Sequence, residues 1–350
     1  MGTDNTGRSR MTRAAAIMLG ACAAILGACS AGTDNTPAAP QEEETMPVDL
    51  TIYSPAPPQI MLHAHNVEMG QLLEACEAFG TVATPPVALP DSINRINALP
   101  ADQRPYHLPI VTTLDFETAR HATAPDWHGY DRANEDLVFV ASLYDVAFGV
   151  LVFDPAIQSP ADLAGKRIAV PPRPSSVRWF SEALLDDGWG ILDEVELVDM
   201  LPPDLPAAIA EGRIDATSWN IMSETREGFL PLIPPLMDQK GAHWLNVDAE
   251  TAAAINAASP FTTDSVSVPA GRIRSASAGP TEDVSLLSFR QSLAAWADTP
   301  DAVVTEILTC LSAASPAYGS AGGFHKDWMK WPALTEDAVH PAALAFRPED

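Results

Sequence analysis

Val48-Asp49-Leu50-Thr51-Ile52-Tyr53 alternates apolar and polar side chains with a period of two, which predicts a strand buried on one face. Met69, Leu72, Leu73 and Cys76 then recur at helical spacing. Short apolar runs at 137–143, 148–153, 167–170, 194–198 and 265–268 predict further strands. Helical stretches lie between several of them. Phe180, Ala183 and Leu184 share a face, and Gly188-Trp189-Gly190 marks the turn that ends that helix. Pro206 to Glu211 predicts a short helix that Gly212 stops in the left-handed conformation. Thr299-Pro300-Asp301 reads as an N-cap followed by proline at the first helical position. Val303, Val304, Ile307, Leu308 and Leu311 continue it as an apolar stripe. Strands alternating with helices predict an α/β fold with largely parallel sheets.

Two stretches before Val48 follow neither period. Arg8, Arg10 and Arg13 precede an apolar run over 14–28, an arrangement expected of a secretory signal. The run is shorter than the roughly 20 residues a membrane-spanning helix needs. It ends Leu26-Gly27-Ala28-Cys29, which resembles a bacterial lipobox and implies lipidation of Cys29. An ordinary cleaved signal with an incidental cysteine is the alternative. Both readings place the protein outside the cytoplasm. Residues 30–47 are small, acidic and proline-bearing, the composition of a flexible tether.

Composition narrows the class. Hydrophobic residues make up 47% of the 350, as expected of a folded body with room for two domains. The formal net charge of −26 speaks against nucleic acid and anionic membrane surfaces as partners. Beyond the signal only Cys76 and Cys310 remain, and the pattern leaves a disulfide and two buried thiols equally open.

No nucleophile elbow, phosphate-binding glycine loop, zinc-protease helix or dinucleotide fingerprint occurs, so no enzyme and no cofactor is expected. His63-x-His65 is read as surface or pocket-lining rather than metal-binding, and Asp126, His128 and Asp131 as a solvated turn. The stretch Ile168 to Phe180 ends a strand and begins a helix, the place where α/β sheets receive ligands. There Arg173 and Arg178 are candidate carboxylate clamps, with Ser175 and Ser176 as hydroxyl donors. The alternative is that a serine only caps the helix and the arginines pair with nearby acids. Ser218 and Trp219, at another strand end, and Thr112 and Thr113 complete the candidate ligand-binding set.

These residues carry a family resemblance. Ala141-Ser142-Leu143-Tyr144 leads into the 148–153 strand, and Ser159 to Val170 contains Asp162-Leu163-Ala164-Gly165-Lys166-Arg167. Glu211-Gly212-Arg213-Ile214-Asp215-Ala216 follows, then Val339-His340-Pro341-Ala342-Ala343 with Phe346-Arg347-Pro348-Glu349. Together they resemble the solute-binding receptors of TRAP transporters, TAXI type, over residues 137–225 and 264–349. The resemblance implies a type II periplasmic-binding-protein-like fold of two domains around a cleft, spanning 48–145 with 264–350 and 146–263. It also implies a small solute, commonly an organic acid or acidic amino acid, and a TRAP membrane permease as partner. Two loops depart from the family. Ser54-Pro55-Ala56-Pro57-Pro58 and Thr84-Pro85-Pro86-Val87 stand where the family has glycine-containing loops, and proline offers no N–H to an anion. An envelope sensory or interaction lipoprotein on the same fold is therefore the second reading.

Overall fold

The alternation at 48–53 forms strand β1 (Val48–Tyr53), which buries Leu50 and Ile52. The computed structural model describes residues 47–56, 58, 61–223, 236–238, 241–259, 262–269, 283–313 and 334–346. The signal with Cys29, most of the tether, Pro57 and Arg347 to Glu349 lie outside the described residues. All described residues fall within one compact unit.

β1 pairs in parallel with β2 (Phe79–Ala83) on one side and β3 (His107–Thr112) on the other. Parallel neighbours require crossovers, and α1 (Met61–Glu74) supplies the first, burying Met69 and Leu73. α2 (Asp91–Asn97) precedes β3, and α3 (Thr113–His121) follows it. A second parallel group contains β5 (Arg167–Val170), β6 (Glu196–Asp199) and β7 (Ala216–Ser223). Two long strands, β4 (Leu137–Val152) and β10 (Val284–Trp296), run antiparallel between the groups. The order is β2-β1-β3-β10-β4-β7-β5-β6. Two strands pair off that path, β8 (His243–Trp244) on β4 and β9 (Asp264–Val268) on β10. The sheet thus has two parallel wings joined through an antiparallel middle.

β4 is one strand where two were expected. The polar interruption at Asp145 is accommodated because Arg290 stands opposite it on β10, with Nε 2.6 Å from Oδ1. Two resembling motifs meet in a similar way. Arg167 on β5 grips Asp215, at the entry to β7, through two side-chain bonds of 3.0 Å, and the Arg167 backbone N–H donates to the same carboxylate. These motif residues fasten the second wing together.

The second wing's helices are α4 (Ser176–Ala183) and α5 (Leu205–Ala210), with α6 (Ala249–Ala258) packed beside the turn after α4. Gly190 at φ +67° and Gly212 at φ +64° take the left-handed conformation at the two predicted stops. α7 (Asp301–Ala313) buries the whole predicted stripe. Thr299 is not its cap, however: its hydroxyl accepts from the Trp296 N–H and donates to the Pro105 carbonyl, tying down the preceding turn. A disulfide joins Cys76, just past α1, to Cys310 on α7, resolving the open choice between bridge and thiols. The His340-Pro341 segment opens α8 (Pro341–Ala345). His340 is buried, its Nδ1 accepts from the Ala342 N–H, and its Nε2 reaches the Thr299 carbonyl.

α3 also carries a pH-sensitive position. Burial pushes the Glu117 carboxyl up to about 6 from 4.5, against the opposing pull of Arg120. A carboxyl raised on folding holds a proton between those values that the unfolded chain releases, so its contribution to stability falls as pH rises through that window. Glu117→Gln is expected to stabilise the fold by about 1 kcal/mol at pH 7 and by nothing at pH 4. Urea unfolding at the two pH values checks this.

A candidate solute-binding cleft

Parallel strands end at the same edge of a sheet, and in both wings those ends face one cleft. Pro55 and Ala56 follow β1, Ala88 and Leu89 come after β2, and Thr112 ends β3. From the second wing, Pro171, Pro172, Pro174 and Ser175 lie between β5 and α4, Ser176 and Val177 open α4, and Leu201 and Pro202 follow β6. Trp219 on β7, Phe289 and Gln291 on β10 and Leu62 on α1 complete the described lining of a cavity of about 190 Å³. Phe289 is held by stacking on Phe180, centroids 4.3 Å apart. Five prolines in the lining contribute no N–H.

Beneath the floor lies a buried carboxylate that joins the wings. Asp115, in the first turn of α3, is fully buried and takes four side-chain bonds. Its Oδ2 accepts from Thr112 Oγ1 at 2.5 Å and from Ser176 Oγ, across the cleft, at 2.7 Å. Its Oδ1 meets His128 Nε2 at 2.9 Å and accepts from the Tyr130 hydroxyl at 3.1 Å. Burial alone would raise its pKa. The bond and charge of His128 and the bonds from Thr112 and Ser176 outweigh that and hold it below 3.8. Tyr130 is pushed well above 10, first by burial and then by the Asp115 charge. Trp127 and Trp179 pack edge-on against His128, closing the network from one side.

Of the residues expected at the site, Thr112, Ser175, Ser176 and Trp219 line the cleft. Ser175 occupies the N-cap position of α4 without a capping side-chain bond. Neither arginine of the expected clamp is among the described lining residues. Arg178 is buried, bonds Glu182 at 2.6 Å, and also bonds Asp199 and the Pro171 carbonyl. Arg173 bonds Glu182 at 2.6 Å and lies over the Trp127 ring, 4.4 Å from its centroid. Neighbouring acids in the same wing thus pair with both guanidinium groups. Thr113 donates to the Thr262 carbonyl, and Ser218 is buried; neither is among the described lining residues.

One further expectation changes. His128 belongs to the buried network rather than to a solvated turn. His63 and His65 sit on α1. His63 Nδ1 lies 3.0 Å from Ser54 Oγ, and His65 is buried edge-on to Tyr144. Among the described residues no cluster of three or more histidine, cysteine or carboxylate side chains is placed to hold a metal ion. Asp115 had a signal in the sequence, an acid three residues after a threonine at a helix start. Gln291 had none.

The NMT1/THI5-like family model matches residues 126–228, less than a third of the chain. Comparison with curated proteins finds no match. Among solved structures, an R. palustris protein with adipate is 18% identical, covering 76% of this chain and 82% of its own at a TM-score of 0.48. The periplasmic aliphatic sulphonate binding protein SsuA from Escherichia coli is 18% identical, with coverages of 77% and 72% and a TM-score of 0.43. MatC from Rhodopseudomonas palustris, with bound malate, is 14% identical, with coverages of 76% and 84% and a TM-score of 0.45. The fold assignment rests on the topology itself. Two parallel wings facing a cleft, joined through antiparallel strands, make this a mixed α/β fold.

Proposed function

We propose that this chain is an extracytoplasmic solute-binding protein, anchored through lipid on Cys29, that hands a small molecule to a membrane permease of the TRAP type. The single observation behind this reading is the cleft at the carboxyl ends of strands from both wings, where ligands of α/β sheets collect. The wings correspond to domains of 48–145 with 264–350 and of 146–263, with β4 passing between them. Closure of one wing on the other would enclose the solute, and the Ser176–Asp115 bond is a contact made in that closed arrangement. The resemblance of the 159–170 and 211–216 stretches to TAXI-type receptors supports the permease partnership. No helix among the described residues is long and apolar enough to cross a membrane.

A thermal-shift screen of the purified chain against organic acids, amino acids and neutral solutes tests the reading. A solute at about 100 times its Kd adds roughly 2.7 kcal/mol of stability. A selective upward shift is the expected result. A screen that stays flat, and flat again by calorimetry, would shift the assignment to an envelope sensory or interaction lipoprotein.

A further inference from the structure

We infer that the cleft takes an uncharged, largely apolar solute of about one ring, which presents an O–H or N–H donor to Gln291 Oε1. This rests on the reading of the chain as a solute-binding protein and names the class of solute.

Four observations converge on it. The first is an acceptor with nothing to accept from. Gln291 is 4% exposed, lines the cleft, and its Oε1 is buried without a partner. A buried, unsatisfied carbonyl is costly, and a donor on the solute would recover that cost.

The second is the direction of the floor hydroxyls. An ionised carboxylate only accepts, so Thr112 and Ser176 both turn their protons down to Asp115. Thr112 Oγ1 also accepts from the Asp115 N–H. What Ser176 offers the cleft is lone pairs. At Thr112 and Ser176 a solute carboxylate would meet acceptors, with a buried negative charge behind them.

Third, no cationic side chain is among the described lining residues. The five lining prolines have no N–H, and Arg173 and Arg178 are bound to Glu182 and Asp199. A charged solute of either sign would be stripped of water against Ala56, Leu62, Leu89, Val177, Trp219 and Phe289 with no opposite charge in contact. Fourth, Leu201 stands at the mouth 49% exposed, a large apolar side chain that an apolar solute would cover. The cavity of about 190 Å³ suits one ring, since a dry cavity of roughly 150 Å³ holds benzene.

Calorimetric titration of the full chain with four shape-matched probes tests this: benzyl alcohol, toluene, benzoate and benzylamine. Benzyl alcohol is expected to bind tightest, with toluene about three- to tenfold weaker for want of the donor. Benzoate and benzylamine are expected to be at least tenfold weaker. In Gln291→Leu, and in the closer-shaped Gln291→Met should leucine impair folding, the advantage of benzyl alcohol over toluene disappears. Tightest binding by benzoate or benzylamine would overturn the inference and leave the receptor reading standing. A donor advantage that survives in a folded Gln291 variant would overturn the role of Gln291. Failure of all four probes, in a chain that binds an acid from the wider screen, would likewise overturn the inference alone. If nothing from either set binds, the receptor reading fails with it.

Discussion

Asp115→Ala is expected to destabilise the protein by about 4 kcal/mol, more than any other single substitution in the cleft region. Four side-chain groups lose their common acceptor at once: His128 Nε2, the Tyr130 hydroxyl, Thr112 Oγ1 and Ser176 Oγ. His128 and Thr112 are themselves buried, so water cannot readily replace the carboxylate. Asp115→Asn keeps the shape and an oxygen but sets an NH2 among donors, and is expected to cost about half as much. The pH dependence identifies the group. A carboxyl lowered on folding contributes stability in full above its unfolded value and loses it as pH falls through the folded one. With Asp115 held below 3.8, the gap between wild type and Asp115→Ala should stay constant from pH 8 to pH 5 and close only in stronger acid. Urea unfolding across that range measures it. A gap already closed at pH 6 would mean that the Asp115 carboxylate is not the source.

The second large effect belongs to the disulfide. Cys76 and Cys310 are 234 residues apart, so the bridge removes one of the longest loop closures the unfolded chain can make. By chain entropy such a crosslink is worth about 5 kcal/mol, and an oxidising compartment would preserve it. The double variant Cys76→Ser/Cys310→Ser should lose that amount, and reduction of the wild type should lose the same. The bridge pins α1 and α7 of the first wing, and neither cysteine is among the described lining residues, so probe affinities in the folded variant should be unchanged. An unfolding midpoint equal to that of the oxidised wild type would contradict this account.

How far the sequence discloses the fold depends on whether burial follows a period. β1 and α7 keep clean periods of two and 3.6, and both were legible. β10 was not, although it lies at the centre of the sheet. Ser285, Ser288, Arg290, Gln291 and Ser292 break its apolar run, and their neighbours on β4 and β9 are remote in sequence. The two halves of β4 looked separate because Asp145 reads as a break until Arg290 is seen opposite.

The site shows the same limit. Thr112, Ser175 and Ser176 sit at a strand end or at a helix start, positions that local pattern identifies, whereas Trp219, expected at a strand end, lies inside β7. Arginine looked like a clamp because its fork suits carboxylates, yet Glu182 and Asp199 suit it equally and are closer to hand. His128 looked like part of a turn because only the fold brings Asp115 and Trp179 to it. The proline substitutions, legible from the start as departures, turn out to line the cleft at Pro55 and leave it with few donors.

The central claim is that solute binds between the wings. The most direct measurement is calorimetric titration of the best-binding solute into wild type and into Ser175→Trp, which places an indole where a small hydroxyl now lines a cavity of about 190 Å³. Ser175 makes no capping bond, so the fold should tolerate the change. The account predicts one site per chain in wild type and at least a tenfold loss of affinity in Ser175→Trp, with the unfolding midpoint preserved. Undiminished affinity in a folded Ser175→Trp chain would place the binding site elsewhere and contradict the account.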